Sequence, residues 1–340
     1  EAFTVKISRS IPIDTSGFIP EKGAEVSISD NTGSIDYLSE VYPGLYSSSP
    51  AFRARSGRSY QLHIQIAQGK RYESDSVFLR ETPPIDSVYY RYEERVTTDG
   101  PDKIPGLQIY LSTHDSNNNT WYYRWEFEET WEFRSLYNSL QLWNDGDIID
   151  RTEQVYRCWK RNSSTNILVS NSKNLNKDII SELPVVYISN ATDKLGIKYS
   201  ILVKQYALSE RSYTYWKEQE NINESLGTLF DPQPYVIKGN IYNPDDENEV
   251  VLGYFDASSV QEERIFISKG EYPPFTTINN YAHCSDTIVS YFQIPSLLNE
   301  GFMLVGEVAS QTSSTRYLLS YPTCLDCTFY GINIEPDFWE

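Results

Sequence analysis

The chain has 340 residues and a formal net charge of −18, from 47 acidic and 29 basic side chains. That balance repels nucleic-acid phosphates and gains nothing from anionic lipid, so nucleic acid is excluded as a partner that charge would recruit. With 39% hydrophobic and 14% aromatic residues there is core material for two or three domains, and disorder is excluded as the general state. No apolar run approaches the roughly 20 residues of a membrane span; the longest, Phe302 to Val305, is far shorter. Residue 1 leads straight into Phe3-Thr-Val5-Lys-Ile7, which alternates like a strand, so any targeting segment is expected outside these residues.

Residues 1–84 read as a small immunoglobulin-like β-sandwich. Phe3, Val5 and Ile7 alternate with polar neighbours, as do Ala24, Val26 and Ile28, then Tyr60, Leu62 and Ile64. Asp30 to Gly33, Pro43-Gly44 and Gln68-Gly69 are turn signals at sandwich spacing. The order Gly23 to Ile28, Pro43 to Tyr46, Gly57 to Tyr60 resembles the transthyretin-like or carboxypeptidase-regulatory module. Pro83-Pro84 disfavours helix and central strand alike and is the expected boundary with a larger β-rich domain, 85–340.

In that second, sandwich-type domain, Val88 to Tyr92, Gly106 to Leu111 and Thr120 to Phe127 are strands, the last two joined as a hairpin through Thr113 to Asn119. Thr130 to Trp143 fits helix and strand about equally. Residues 130–183 are expected to form an irregular insertion, with one short helix near Lys177 to Ile180. Ile197, Tyr199, Ile201 and Val203 then share one strand face. A packed helix is predicted over 209–222. Ser209 is its N-cap, Glu210 favours the dipole, Leu208 and Tyr213 staple it, and Tyr213 and Trp216 line one side. Leu229 to Pro234 reads as an extended turn, and Val236 to Ile241 and Val250 to Phe255 as strands around a polar tip at Asn243 to Asn248. Glu263 to Ile267, Thr287 to Phe292, Phe302 to Val308 and Thr315 to Leu319 are further strands, and Thr328 to Tyr330 continues a strand after Cys327.

Short catalytic motifs are absent: there is no H-E-x-x-H, G-x-S-x-G, P-loop or Rossmann glycine pattern. His63 lies in a strand and reads as structural; His114 beside Asp115 reads as a solvated turn. Asp115-Ser-Asn117-Asn-Asn119 spaces oxygens as a calcium loop begins but lacks the later Gly and Glu. It and the acidic tips Asp145 to Asp147 and Asp245 to Glu247 are expected to be polar turns. Asn118, Asn162, Asn190 and Asn223 head N-x-S/T triplets, marks of a polar, loop-rich surface. No catalytic residue or cofactor is assigned. Cys158, Cys284, Cys324 and Cys327 are open to three readings: two disulfides, a zinc set of His283 with Cys284, Cys324 and Cys327, or a redox C-x-x-C. Trp121, Trp131, Trp143 and Trp159 are the candidate ligand-facing aromatics, being able to stack on a sugar or peptide.

Several motifs together resemble the domain-of-unknown-function family 4249. They are Leu202 to Glu210 followed by Tyr215-Trp216-Lys217, Leu229 to Pro234, Lys238 to Ile241, and Leu252 to Ser259. Arg264 to Ile267, Cys158-Trp159 and the closing Cys327 through Pro336-Asp337-Phe338-Trp339 continue the series, so the resemblance runs along the whole chain. It implies a lipoprotein of Bacteroidota, anchored at the outer membrane through a lipid that these residues do not contain. It also implies a TonB-dependent outer-membrane transporter as partner. An exported protein favours the disulfide reading, with Cys284 bonded to one member of the C-x-x-C. The expected function is therefore that of a non-catalytic accessory or binding partner of the transporter. A carbohydrate- or peptide-binding module and a hydrolase with an unrecognised site are the alternatives.

Overall fold

The alternation in the first 80 residues is satisfied by seven strands of an eight-stranded antiparallel sheet that curls around its own core. Thr4–Lys6, Leu45–Ser47, Ile35–Tyr42, Glu25–Asp30, Ser59–Gln65 and Arg71–Ser74 follow one another across it, with Val77–Phe78 beside Ser59–Gln65. The inward positions are Val26, Ile28, Leu38, Tyr46, Tyr60, Leu62 and Ile64, all buried. Each such side chain removed from water contributes about 1.5–3 kcal/mol before entropy is counted. The computed structural model describes residues 3–10, 17–96, 103–225, 236–277, 281, 283–309 and 314–339. The expected turn at Leu229 to Pro234 lies outside them.

The central unit is a second β-sandwich. One layer holds Ile85–Val96, Lys103–His114 and Ile179–Ser189; the other holds Arg157–Ser163, Tyr122–Arg134, Lys198–Ala207 and Val260–Ser268, with Leu168–Asn171 also on Tyr122–Arg134. Leu107, Ile109 and Leu111 from the first layer meet Tyr123, Trp125, Tyr199, Ile201 and Val203 from the second in one fully buried core. The segment from Thr130 resolves as strand, because Tyr122–Arg134 is held on both edges and Trp131 pairs with Tyr199 on one side and Lys160 on the other. The expected hairpin through Thr113 to Asn119 is instead a crossing between the two layers. The Asp115 carboxylate accepts the backbone N–H groups of Asn117, Asn119 and Thr120 at 2.9 Å each and folds the chain over. No helix forms at Lys177 to Ile180. Asp178 is buried there, bonded to the hydroxyls of Tyr123 and Ser172, and that anchor feeds directly into the strand Ile179–Ser189. Much of the expected irregular insertion is likewise paired strand.

The helix forms where capping and stapling place it, over Glu210–Ser225. Ser209 Oγ accepts the Ser212 N–H at 3.0 Å. Leu208, Tyr213 and Trp216 pack with Tyr122 and Val169 in a small cluster beneath it. Beyond it, Val236 to Ile241 and Val250 to Phe255 are not a strand pair; only Ile241–Tyr242 is strand, and it joins the first sheet against Arg71–Ser74. The reason is local chemistry. The Asn240 amide both donates to and accepts from the Phe255 backbone at 2.7 Å, taking the place of a ladder. A Cβ on Gly239 would sit 1.5 Å from the Gly253 carbonyl oxygen, and Gly253 itself has φ 122°, so this crossing tolerates no side chain. Phe255 and Ala257 complete the first core. Thr82 donates its N–H to the Ser259 hydroxyl at 2.9 Å and its hydroxyl to the Ser259 carbonyl at 2.6 Å, and the Pro83 carbonyl accepts from Gln205 at 2.8 Å. The chain leaves the first sheet at the two prolines and returns to it more than 150 residues later.

A third core gathers the strands Asp286–Val289, Arg316–Ser320 and Met303–Val308 with the short helix Ile294–Asn299. The hairpin Gln141–Asn144 and Asp147–Asp150 leans on it through Trp143 and Ile148. Thr328 to Tyr330 is not strand: the Asp326 carboxylate accepts the Thr328 N–H at 2.8 Å and turns Cys327–Phe329 into a 3-10 helix. No helix among the described residues is long and apolar enough to cross a membrane.

Candidate functional site

At one end of the five-stranded layer, segments far apart in sequence enclose a cleft of about 310 Å³. The strand Tyr122–Arg134 supplies Glu132, Phe133 and Arg134, and the neighbouring strand supplies Lys160. The turn before Lys198–Ala207 supplies Asp193, Gly196 and Ile197; Thr277, Tyr281 and Tyr330 close the remaining side. The volume lies at the lower end of the range for small-molecule sites, about 300–1,000 Å³.

The disulfides shape this cleft. Cys158 bonds Cys327 and Cys284 bonds Cys324, with Cα separations of 5.8 and 5.9 Å. The first bond is fully buried against Phe133 and pins the 3-10 helix that carries Tyr330. Just beyond, Trp159 and Ile332 exchange backbone hydrogen bonds of 2.8 and 3.0 Å. The wall holding Tyr330 is thus fixed on both sides.

The charges in the cleft are arranged in pairs. Lys160 Nζ lies 2.6 Å from Asp193 Oδ2 and 4.5 Å from the centre of the Phe133 ring. Asp193 Oδ1 accepts the Trp131 indole N–H at 3.1 Å. Glu132 is buried and accepts from Arg134 at 3.2 Å and Arg157 at 3.0 Å. Tyr281 donates its hydroxyl to the Arg134 carbonyl at 2.6 Å. Burial, with smaller contributions from Tyr330 and Asp193 nearby, pushes its phenol up to about 12, so it stays a donor at neutral pH. Behind the cleft, Glu129 is almost wholly buried and held by Lys194 at 2.6 Å, Tyr199 at 2.8 Å and Asn162 at 3.2 Å. Ser, Cys and His are absent from the described lining, whose charged groups are Glu132, Arg134, Lys160 and Asp193, and whose hydroxyls come from Thr277, Tyr281 and Tyr330.

The candidate aromatics fall elsewhere. Trp131 and Trp159 are buried, and neither shows a ring face to solvent. Trp131 sits in the core behind Asp193, and Trp159 is covered edge-on by Trp339 with ring centres 6.2 Å apart. Trp121 packs beneath the helix, and Trp143 lies against Tyr291 in the third core. The rings that line the cleft, Phe133, Tyr281 and Tyr330, were missed. One signal marks two of them: Tyr281 and Tyr330 each stand three residues from a cysteine.

The donor atoms of His283, Cys284 and Cys324 lie within 4.8 Å of one another, two of them because those sulfurs are bonded together. With Cys327 bonded to Cys158, the four-residue zinc set has no thiolate to offer in this form. His63 shares a 2.7 Å hydrogen bond with Ser29, and His114 lies 2.7 Å from Asp86, which raises its pKa chiefly through that bond. Asp115 spends its oxygens on backbone amides, and Asp245 pairs with Arg71 at 2.7 Å.

Fold and cleft together define a disulfide-stapled, mostly β protein, with a recess lined by paired charges at one sheet end. The family described as "Domain of unknown function (DUF4249)" matches residues 1–264, and the chain belongs to it. No curated protein matches the chain.

Proposed function

We propose that this protein is a non-catalytic binding protein, exported and lipid-anchored at the outer membrane, that serves a transporter there as accessory. The observation that carries the binding part is the cleft between Tyr281 and Tyr330, one side anchored by the Cys158–Cys327 bond and the other by the Tyr281 hydroxyl on the Arg134 carbonyl. Preorganised walls reduce the ordering cost of binding. Export is supported by two disulfides, bonds that persist in oxidising compartments. The transporter partnership rests on family resemblance, and the −18 charge suits a protein kept soluble at a crowded surface.

The test is affinity capture from detergent-solubilised outer membrane of the source cells, using the tagged, lipid-anchored chain. Recovery of a transporter in stoichiometric amount supports the reading. Repeated capture of the bait without one, under conditions that preserve other membrane complexes, overturns it.

A further inference from the structure

We infer that the Cys284–Cys324 bond is a thiol-exchange site, open to a dithiol reductant while the protein stays folded, and that the Cys158–Cys327 bond is a closed staple. The inference is independent of the binding role proposed above.

The C-x-x-C of the sequence is split between the two bonds. Cys324 and Cys327 are close in the chain, yet each is bonded to a cysteine far from it. Their surroundings differ. Cys158 and Cys327 are both fully buried, with Phe133 packed on them. The Cys327 N–H donates to the Val155 carbonyl at 2.8 Å, and the Trp159–Ile332 backbone pair closes the chain over the next residues. Exchange needs an attacking thiolate to reach a sulfur, and this bond offers neither sulfur to solvent.

The other bond has one buried end and one open end. Cys324 is fully buried. Cys284 is half-buried and lies outside every helix and strand, and its Sγ stands 4.0 Å from Nε2 of the exposed His283. Access therefore directs the attack to Cys284 Sγ and makes Cys324 the leaving group. The reductant's thiolate bonds to Cys284 Sγ, the Cys284–Cys324 bond breaks, and its electron pair goes to Cys324 Sγ, which takes a proton. The second thiol of the reductant then displaces Cys284 as its thiol. In sum, one protein disulfide becomes two thiols and one dithiol becomes a disulfide.

The open bond joins two pieces of the fold. The Cys284 N–H donates to the Tyr281 carbonyl at 2.9 Å, and the Cys324 carbonyl accepts the Tyr137 N–H at 3.1 Å. Reduction uncouples Tyr281, which lines the cleft, from the short helix Pro322–Leu325. Tyr330 stays stapled through Cys327.

The test uses the full, oxidised chain without denaturant. Dithiothreitol is added, samples are quenched with an alkylating agent, and each cysteine is followed by peptide mass spectrometry. Cys284 and Cys324 are expected to be alkylated about tenfold faster than Cys158 and Cys327, or more. Glutathione, a monothiol, is expected to leave its adduct on Cys284. In Cys284→Ser/Cys324→Ser the fast phase is expected to vanish and the slow phase to persist; the wild-type order decides the matter if that variant does not fold. On reduction, hydrogen exchange is expected to rise at the Cys284 amide and to hold at Trp159 and Ile332. Opening of both bonds at one rate, earlier opening of Cys158–Cys327, or a glutathione adduct on Cys324 overturns the inference. So does a Cys324–Cys327 product with Cys158 free, or opening of Cys284–Cys324 only in urea that unfolds the chain.

Discussion

Replacing Cys158 and Cys327 together by Ala tests whether the tail is stapled as described. The bond joins residues 169 apart. In the chain-entropy account a loop of that length is worth about 5 kcal/mol at 25 °C. The Cys284–Cys324 bond, 40 residues apart, lies inside that loop and short-circuits it. Shortening the effective loop to about 130 residues lowers the figure by only a few tenths of a kcal/mol, because the dependence is logarithmic. The Cys284→Ala/Cys324→Ala pair is worth about 4 kcal/mol on the same reasoning. Urea unfolding of the oxidised wild type and both double variants, read from midpoint and slope, gives the comparison. The larger loss is expected for the Cys158 and Cys327 pair, whose sulfurs are also packed on Phe133. A loss under about 1 kcal/mol there, or a larger loss from the shorter loop, refutes the reasoning.

Two further outcomes follow from buried charge. Lys194→Met leaves Glu129 buried without its cation and is expected to cost about 3–5 kcal/mol, with most of it recovered in the Glu129→Gln/Lys194→Met double variant. Thermal unfolding of the three proteins checks this, and equal melting of Lys194→Met and wild type contradicts it. Asp256 lies at the junction of the helix and the first unit, with Oδ2 buried and unpartnered, and burial raises its pKa despite Ser212, the Ala257 amide, Arg80 and Arg124. Its folded pKa stands above the unfolded value near 3.9. Stability is therefore full below that value and declines as pH rises through the folded one. Asp256→Asn is expected to remove that decline, so the variant gains on wild type in urea midpoints as pH rises above about 4. Parallel pH profiles contradict the assignment.

The strands were legible because alternation is a local property, and Val26, Ile28, Tyr199, Ile201 and Val203 all face inward as it requires. The helix was legible from Ser209 and Leu208 for the same reason. Partner choice was not. Lys103–His114 and Tyr122–Arg134 look like hairpin neighbours, yet they belong to opposite layers, a choice made by the Asp115 turn and by strands from residue 157 onward. Gly239, Asn240 and Gly253 interrupt two apolar runs that alternation alone reads as paired strands. The cleft was the least legible part: Glu132, Lys160, Asp193, Tyr281 and Tyr330 come from strands and segments up to about 200 residues apart and meet only in the folded chain. Trp rings drew attention by size, but size also favours burial, and Trp131 and Trp159 went to the interior.

The return of Ile241–Tyr242 to the first sheet sets a timetable for synthesis. When residue 74 emerges from a ribosome, its strand has an open edge, and that edge stays open until residue 241 is made. At about 5–20 residues per second the interval is roughly 10–30 s, long compared with the microseconds to milliseconds of local strand pairing. Through that interval the edge of Arg71–Ser74 is available to any other strand. A fragment ending at residue 84 would keep that state permanently. The first unit is thus first in sequence and among the last to be completed.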